Sequence, residues 1–298
     1  MRVDNKTVFA IIFATIFCSG SAFVLPACAM AGESSSTITE ATGRACRTKA
    51  DMNKKVEDAA LIDAKKQALS SVHSYLESSS KVTNFILEKD EVDAYSRGAV
   101  QVLAKKELGW KKDGKVDCYS VWIRAEVTPD PAFGSEEKRL LWLENPGKPL
   151  TVRCWTDKES YKKGEQMRVF LKGNKPFFAR LAYRDAGGTL VQLLPNPYRT
   201  KSHFQGGVTY EVPAADDHFD LTVSPPFGKE RLVLYAGTRP LGDAPLQAGA
   251  ADAVFTVKTS LEDLGMRTRG MAVTARDDKT PAGPAEFSEF ALDINTGL

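Results

Sequence analysis

Signatures of catalysis and metal binding are scarce in this chain of 298 residues. It has three histidines, and its five cysteines include no CxxC pair, which argues against a zinc site. The chain also lacks GxSxG, HExxH and GxxxxGK[ST] motifs and a glycine-rich dinucleotide fingerprint. We therefore expect no catalytic residue, no cofactor and no metal ligand.

An excess of one charge is also missing, because 40 Lys plus Arg residues oppose 38 Asp plus Glu residues. A dedicated nucleic-acid binder usually has a strongly basic domain, so we expect no nucleic-acid partner. Hydrophobic residues make up 43% and charged residues 26% of the chain, as in an average globular protein. The length suggests about two domains.

Long apolar runs are confined to the first thirty residues. Arg2 and Lys6 precede an uncharged run at 8–17, which is shorter than the ~20 residues of a membrane-spanning helix. Small residues at 29 and 31 form a cleavage pattern, and an earlier one lies at 27–29. We predict a signal peptide over 1–31 and a periplasmic or secreted mature protein.

Two alternatives to simple cleavage stay open. Residues 25–28 resemble a lipoprotein box, in which Cys28 would carry a lipid and tether the mature protein to a membrane. The other alternative is that the leader is retained as an anchor, although its apolar run is short. No later segment is long and apolar enough to predict a membrane span.

Residues 32–128 show the pattern of a small α+β module. After a short polar leader, alternation predicts a strand over 38–48, and a period of three to four residues predicts a helix over 53–76. Alternating strands at 100–106 and 116–127 flank an Asp-Gly turn and predict a hairpin. One helix face is expected to pack on this sheet.

Three cysteines remain after the predicted cleavage, namely Cys46, Cys118 and Cys154. An exported protein meets an oxidising compartment, where a cysteine pair can form a disulfide bond. Cys46 and Cys118 lie on the polar faces of their predicted strands, so neighbouring strands would place them within bonding range. We predict a Cys46–Cys118 disulfide and a buried free thiol at Cys154, which lies on an apolar face.

Prolines mark residues 129–149 as a linker, with a short charged amphipathic piece at 136–144. Beyond it, seven short apolar runs separated by turns predict an antiparallel β-sandwich over 150–298. The predicted strands are Leu150–Trp155, Met167–Leu171, Phe177–Tyr183, Thr189–Leu194, Val208–Val212, Phe219–Val223 and Glu230–Ala236. Ser260 should cap a short helix, and a closing strand follows it. The predicted fold class is thus α+β.

The hairpin of the N-terminal module is the first candidate for a binding surface. Five lysines surround one tryptophan there, and the candidate binding residues are Lys105, Lys106, Trp110, Lys111 and Lys112, with Lys115 at the end of the turn. A basic hairpin with an exposed aromatic ring could bind an anionic polymer or an envelope protein. Alternatively, the lysines only solubilise the hairpin and protect a sheet edge.

A proline-fixed loop is the second candidate, with Asn196, Tyr198 and Arg199 forming a rigid and basic recognition edge. The structural alternative is a reinforced exit from a strand. The run at 216–218, Asp-Asp-His, offers metal-ligand atoms, but consecutive loop residues rarely converge on one ion. We interpret it as a solvated turn.

An ordered set of turn motifs in the C-terminal half forms a recognisable pattern. It comprises Tyr161-x-x-Gly164-Glu165, a hairpin around Gly187-Gly188, Leu194-Pro195-Asn196-Pro197, Gly206, Val212-Pro213 and Pro226-Phe227-Gly228-x-Glu230. Residues 150–245 thereby resemble the bacterial domain of unknown function (DUF) family 4384. Residues 32–128 are loosely similar to the N-terminal modules of small envelope lipoproteins and flagellar-assembly proteins. Both resemblances imply an exported bacterial protein, and neither implies a known catalytic mechanism.

These observations predict an exported bacterial envelope protein with a non-enzymatic binding or assembly role. Its partner would be an envelope protein or polymer, with membrane contact only through a lipid on Cys28. One alternative is a lipid-anchored structural component. Another is a hydrolase of envelope polymers, which would need titratable groups clustered in a cleft.

Overall fold

The computed structural model describes residues 32–47, 52–82, 89–130, 136–248, 255–270 and 283–298. The fold is α+β, as predicted. The strands are β1 (Gly32–Cys46), β2 (Ala99–Asp113), β3 (Val116–Thr128), β4 (Val152–Thr156), β5 (Ser160–Lys162), β6 (Val169–Gly173), β7 (Phe177–Arg184), β8 (Leu190–Leu194), β9 (His203–Phe204), β10 (Tyr210–Val212), β11 (Lys229–Gly237), β12 (Leu246–Ala248), β13 (Phe255–Val257) and β14 (Ala285–Gly297). The helices are α1 (Asn53–Val82), α2 (Lys89–Ser96), α3 (Glu136–Trp142) and α4 (Leu261–Arg269). The predicted signal peptide and Cys28 lie outside the described residues.

One large sheet runs through the molecule in the order β12-β13-β8-β7-β11-β14-β1-β3-β2. Strand β1 is antiparallel to β3 on one side and to β14 on the other, so the hairpin and the C-terminal strands belong to the same sheet. The polar residues 34–37, predicted as a leader, form part of β1. Ser35 and Ser36 can be buried because their hydroxyls are hydrogen-bonded: Ser35 Oγ donates to the Leu150 carbonyl (3.2 Å) and Ser36 Oγ to Glu126 (2.6 Å).

Helix α1 packs closely against one face of the sheet through small residues. Ala60, Ala64 and Ala68 are fully buried there. A Cβ atom added at Gly43 of β1 would lie 2.1 Å from the Ala60 carbonyl oxygen, so only glycine permits this approach. The helix-period pattern of the sequence therefore identified the helix correctly, although α1 extends to Val82.

A second sheet, β10-β6-β4, packs on the same face of the large sheet and encloses the main core. This is the two-sheet arrangement that the alternating pattern predicted. The predicted strand Phe219–Val223 is wrong, because only Thr222 makes a bridge, to Gln166. Pro225 and Pro226 directly follow Ser224 and end regular pairing there, because proline lacks a backbone donor.

Helix α4 covers the opposite face of the large sheet. Its start is as predicted, since the Ser260 Oγ accepts a hydrogen bond from the Asp263 amide (3.1 Å). At its other end the Arg269 guanidinium donates to Glu126 of β3 (2.9 Å) and to Glu289 of β14 (2.7 Å). These partly buried ion pairs attach the helix across both halves of the sheet.

The predicted linker contains α3 and ends in a buried polar junction. The Glu286 carboxylate accepts hydrogen bonds from Lys175 Nζ (3.0 Å) and from the Leu150 amide (2.5 Å).

The predicted division into domains at residues 129–149 stays a prediction. None of the helices that the structure describes has the length and apolarity needed to cross a bilayer.

Candidate functional site

The proline-fixed loop is organised by its asparagine. Asn196 is 1% exposed, and its Nδ2 donates to the Leu193 carbonyl (2.8 Å). Its Oδ1 accepts from the amides of Tyr198 (2.9 Å) and Arg199 (2.7 Å). An Asx-type turn of this kind satisfies the loop backbone internally, so Asn196 shapes the loop and presents no free polar group.

Arg199 is directed into the fold. Its Nη1 donates to Asp217 (2.8 Å) and to the Glu211 carbonyl (3.0 Å). The Tyr198 ring is 51% exposed and stacks on Phe219 with a centroid distance of 6.2 Å. Of the three residues predicted to form this recognition edge, Tyr198 alone presents its side chain to solvent.

The Asp-Asp-His run at 216–218 does not converge. Asp217 pairs with Arg199, whereas Asp216 and His218 are exposed. Among the residues that the structure describes, no group of three or more His, Cys, Asp or Glu side chains could hold a metal ion. Their arrangement therefore favours a solvated turn with one structural carboxylate.

A cleft of about 260 Å³ lies beside this loop. Its walls are largely apolar and include Met167, Val191, Leu221 and Pro226. Tyr183 lines it, and its hydroxyl donates to the buried carboxylate of Glu230. Burial and this hydrogen bond raise the pKa of Tyr183 far above its usual range, so the phenol stays neutral. The Tyr183–Glu230 pair supports the cleft wall through a hydrogen bond.

Two further carboxylates line the cleft, those of Asp185 and Asp220. Asp185 Oδ1 accepts the Thr189 amide (2.7 Å) and thereby closes the β7–β8 hairpin. Asp220 is exposed on the segment that lines the cleft. Asp185 thus has a structural role in the hairpin, and Asp220 places a carboxylate at the rim of an otherwise largely apolar cleft.

The lysine-rich hairpin lies at the end of the large sheet, where β2 is the edge strand. Three acidic side chains around it are neutralised within the fold. Glu107 pairs with Lys105 (3.1 Å), Asp113 with Arg44 (2.5 Å) and Asp117 with Arg47 (2.5 Å). The hydrogen bond between Lys105 and Glu107 raises the pKa of Lys105 and lowers that of Glu107. Both groups therefore stay charged at neutral pH.

The remaining lysines give the hairpin its net charge. Lys106, Lys111, Lys112 and Lys115 are exposed, and none pairs with an acidic side chain in the described ranges. Because Glu107, Asp113 and Asp117 are paired with other side chains, these four positive charges are available to a ligand. The near-neutral net charge of the chain thus conceals a local basic surface.

Pairing in the hairpin separates the predicted residues onto two faces. Trp110, opposite Tyr119, lies on the α1 side, packs on that ring at 5.4 Å and lies under Arg47 at 5.3 Å. Lys105 and Lys112 share this side by their register, whereas Lys106 and Lys111 lie on the opposite face. Trp110 is therefore a half-buried packing residue.

Another tryptophan takes the place expected for Trp110 on the exposed face. Trp122 of β3 lies directly opposite Lys106 and is half-buried. The guanidinium of Arg124 lies 5.7 Å from its ring centroid. Alternation with Cys118 places Trp122 on the same polar face of β3, but alternation does not tell whether another element covers that face.

A disulfide joins Cys46 and Cys118, as predicted, and fixes β1 to β3 at the end of the hairpin. Cys154 is a buried free cysteine, also as predicted. Burial raises the pKa of its thiol to about 12, which keeps it protonated and unreactive near neutral pH. The disulfide therefore stiffens the basic surface, and the third cysteine belongs to the core.

Comparison with known protein families gives a match in the region around the cleft. Residues 160–240 match the family model described as a domain of unknown function (DUF4384). As the turn motifs predicted, this part of the chain is similar to that family. It contains the proline-fixed loop, Tyr183, Glu230 and most of the cleft lining. No curated protein and no solved structure matches the chain.

Proposed function

We propose that this protein is an exported bacterial envelope protein with a non-enzymatic binding or assembly role. The observation that carries the proposal is the basic hairpin, where Glu107, Asp113 and Asp117 are paired and four lysines are exposed. A charged surface of this kind attracts an anionic envelope protein or polymer. Strands β7, β8 and β11 of the DUF4384 region belong to the same sheet as β1, β3 and β2 of the hairpin region, toward the other end of that sheet.

Export is supported by two independent features. The leader has the charge and the short apolar run of a signal peptide. The Cys46–Cys118 disulfide is typical of proteins that leave the reducing cytoplasm. Mass spectrometry of the mature N-terminus separates the alternatives, because a free amine on Gly32 fits cleavage and an acylated Cys28 fits a lipoprotein.

A comparative pull-down from envelope extract tests the binding role. The tagged mature chain is compared with a variant that carries Gln at Lys106, Lys111 and Lys112. A matched control carries the same change at the exposed Lys162 and Lys163 of the DUF4384 region. We expect the hairpin variant to lose the enriched partner and the control to retain it. Equal recovery by all three proteins would contradict the proposal.

A further inference from the structure

The face of β1, β3 and β2 opposite α1 is here called the open face. Val121 and Ile123 of β3 are fully buried against α1, so Trp122 between them points to the other side. Thr42 and Lys106 flank Trp122 on the neighbouring strands and are exposed. No helix or strand from the described part of the chain covers this position.

Trp122 lies at the centre of the open face and is held in place. The Cβ atoms of Thr42 and Lys106 lie about 5 Å from that of Trp122, as in any directly opposed pair. Arg124 contacts the indole ring, and its own guanidinium is fixed by a hydrogen bond to Glu40 (Nη2 to Oε1, 2.9 Å). The ring therefore has little freedom to lose when a ligand binds.

Positive charge and a flat surface extend from Trp122 toward the disulfide. Lys106 and Lys111 are four residue pairs apart along β3, or about 13 Å. Between them, Gly109 faces Ser120, and a Cβ there would meet no atom within 4 Å. No side chain therefore rises from Gly109 between Lys106 and Lys111, and an extended chain with repeated negative charges can contact both lysines.

We propose that the open face binds an anionic polysaccharide. A sugar ring packs on the exposed part of the Trp122 indole, whose electron-rich face attracts the sugar's polarised C–H groups. Negative groups on neighbouring sugars contact Lys106 and Lys111. The inference rests on the proposed binding role and specifies the ligand class and the residues that recognise it.

Two features argue against a protein strand adding to the edge of β2. Register shifts between Val102 and Ala104 and between Glu107 and Gly109 interrupt the edge. Bulges and lysines on an edge strand oppose pairing with another strand. The basic surface therefore acts through its face, where a flat ligand contacts side chains and needs no backbone pairing.

Isothermal titration calorimetry of the disulfide-bonded mature chain tests the proposal. The probe is alginate, with neutral dextran and an oligothymidylate as comparison ligands. We expect Trp122→Ala to weaken alginate binding about tenfold, and Trp122→Phe to restore most of it. Lys106→Gln with Lys111→Gln should weaken binding and reduce its dependence on salt concentration. Gln at Lys162 and Lys163 should leave both unchanged.

Each contrary outcome has a distinct meaning. Equal alginate binding by wild type and both Trp122 variants would overturn the inference, as would binding to dextran of the same strength. Tighter binding to oligothymidylate would favour nucleic acid and would also overturn it. If the protein does not bind alginate but the pull-down recovers a lysine-dependent protein partner, this inference alone is overturned. If the protein neither binds alginate nor recovers a lysine-dependent partner, the proposed function is overturned as well.

Discussion

Removing the Cys46–Cys118 disulfide should destabilise the protein strongly. The bond joins residues 72 positions apart in the sequence and encloses α1, α2 and β2. A loop of that length loses enough unfolded-state entropy to stabilise the native state by about 4 kcal/mol. Cys46→Ser is the suitable change, because Cys46 is exposed and the new hydroxyl remains in water.

Urea unfolding followed by circular dichroism measures this effect. The free energy of unfolding of Cys46→Ser should fall by about 4 kcal/mol, and reductant should bring the wild type to the same midpoint. Reductant should leave the variant unchanged, which serves as the control. A loss below about 1 kcal/mol would refute the loop-entropy reasoning. A Cys118–Cys154 peptide in a non-reducing digest would refute the pairing itself.

Three further predictions concern the packing, the charges and the third cysteine. Gly43→Ala should destabilise the protein by about 1–3 kcal/mol in the same unfolding assay, because the added methyl group meets the α1 backbone; an unchanged midpoint would contradict this packing. The hydrogen bond from Arg231 holds the pKa of Asp293 below the ordinary value of 3.8. The Arg231–Asp293 ion pair therefore contributes its full stabilisation above pH 3.8, and this stabilisation is lost as the pH falls through the folded-state pKa of Asp293. Asp293→Asn should therefore lose less stability than the wild type on acidification below about pH 4, and parallel pH profiles would argue against the ion pair. Cys154 should resist iodoacetamide in the native protein at pH 8 and react in urea, as peptide mass spectrometry can check; rapid native labelling would show that the thiol is accessible.

Local sequence patterns were sufficient to predict most elements and the disulfide. The helical period gave α1, alternation gave the hairpin and most sandwich strands, and strand faces gave the Cys46–Cys118 pairing. Each of these depends on short-range periodicity. The polar start of β1 was missed because Ser35 and Ser36 are buried through hydrogen bonds made over long sequence distances. No local pattern carries that information.

The candidate surface was predicted only in part, for a similar reason. The lysine cluster is visible in the sequence, but the pairing of Asp113 and Asp117 depends on Arg44 of β1 and on Arg47, which directly follows β1. The ordered contacts of Asn196 and Arg199 likewise depend on loop closure. Trp122 could be assigned to a face by alternation, but its central place on the open face follows from the order of three strands.

The proposed binding role requires the open face and the basic hairpin to contact the partner in the envelope. Site-specific photo-crosslinking in cells tests it most directly, with the photoreactive residue placed at Lys111 and, as a control, at Lys163. We predict a discrete covalent adduct from Lys111 and none from Lys163. Adducts of the same size and yield from both positions, or an adduct from Lys163 alone, would contradict the claim.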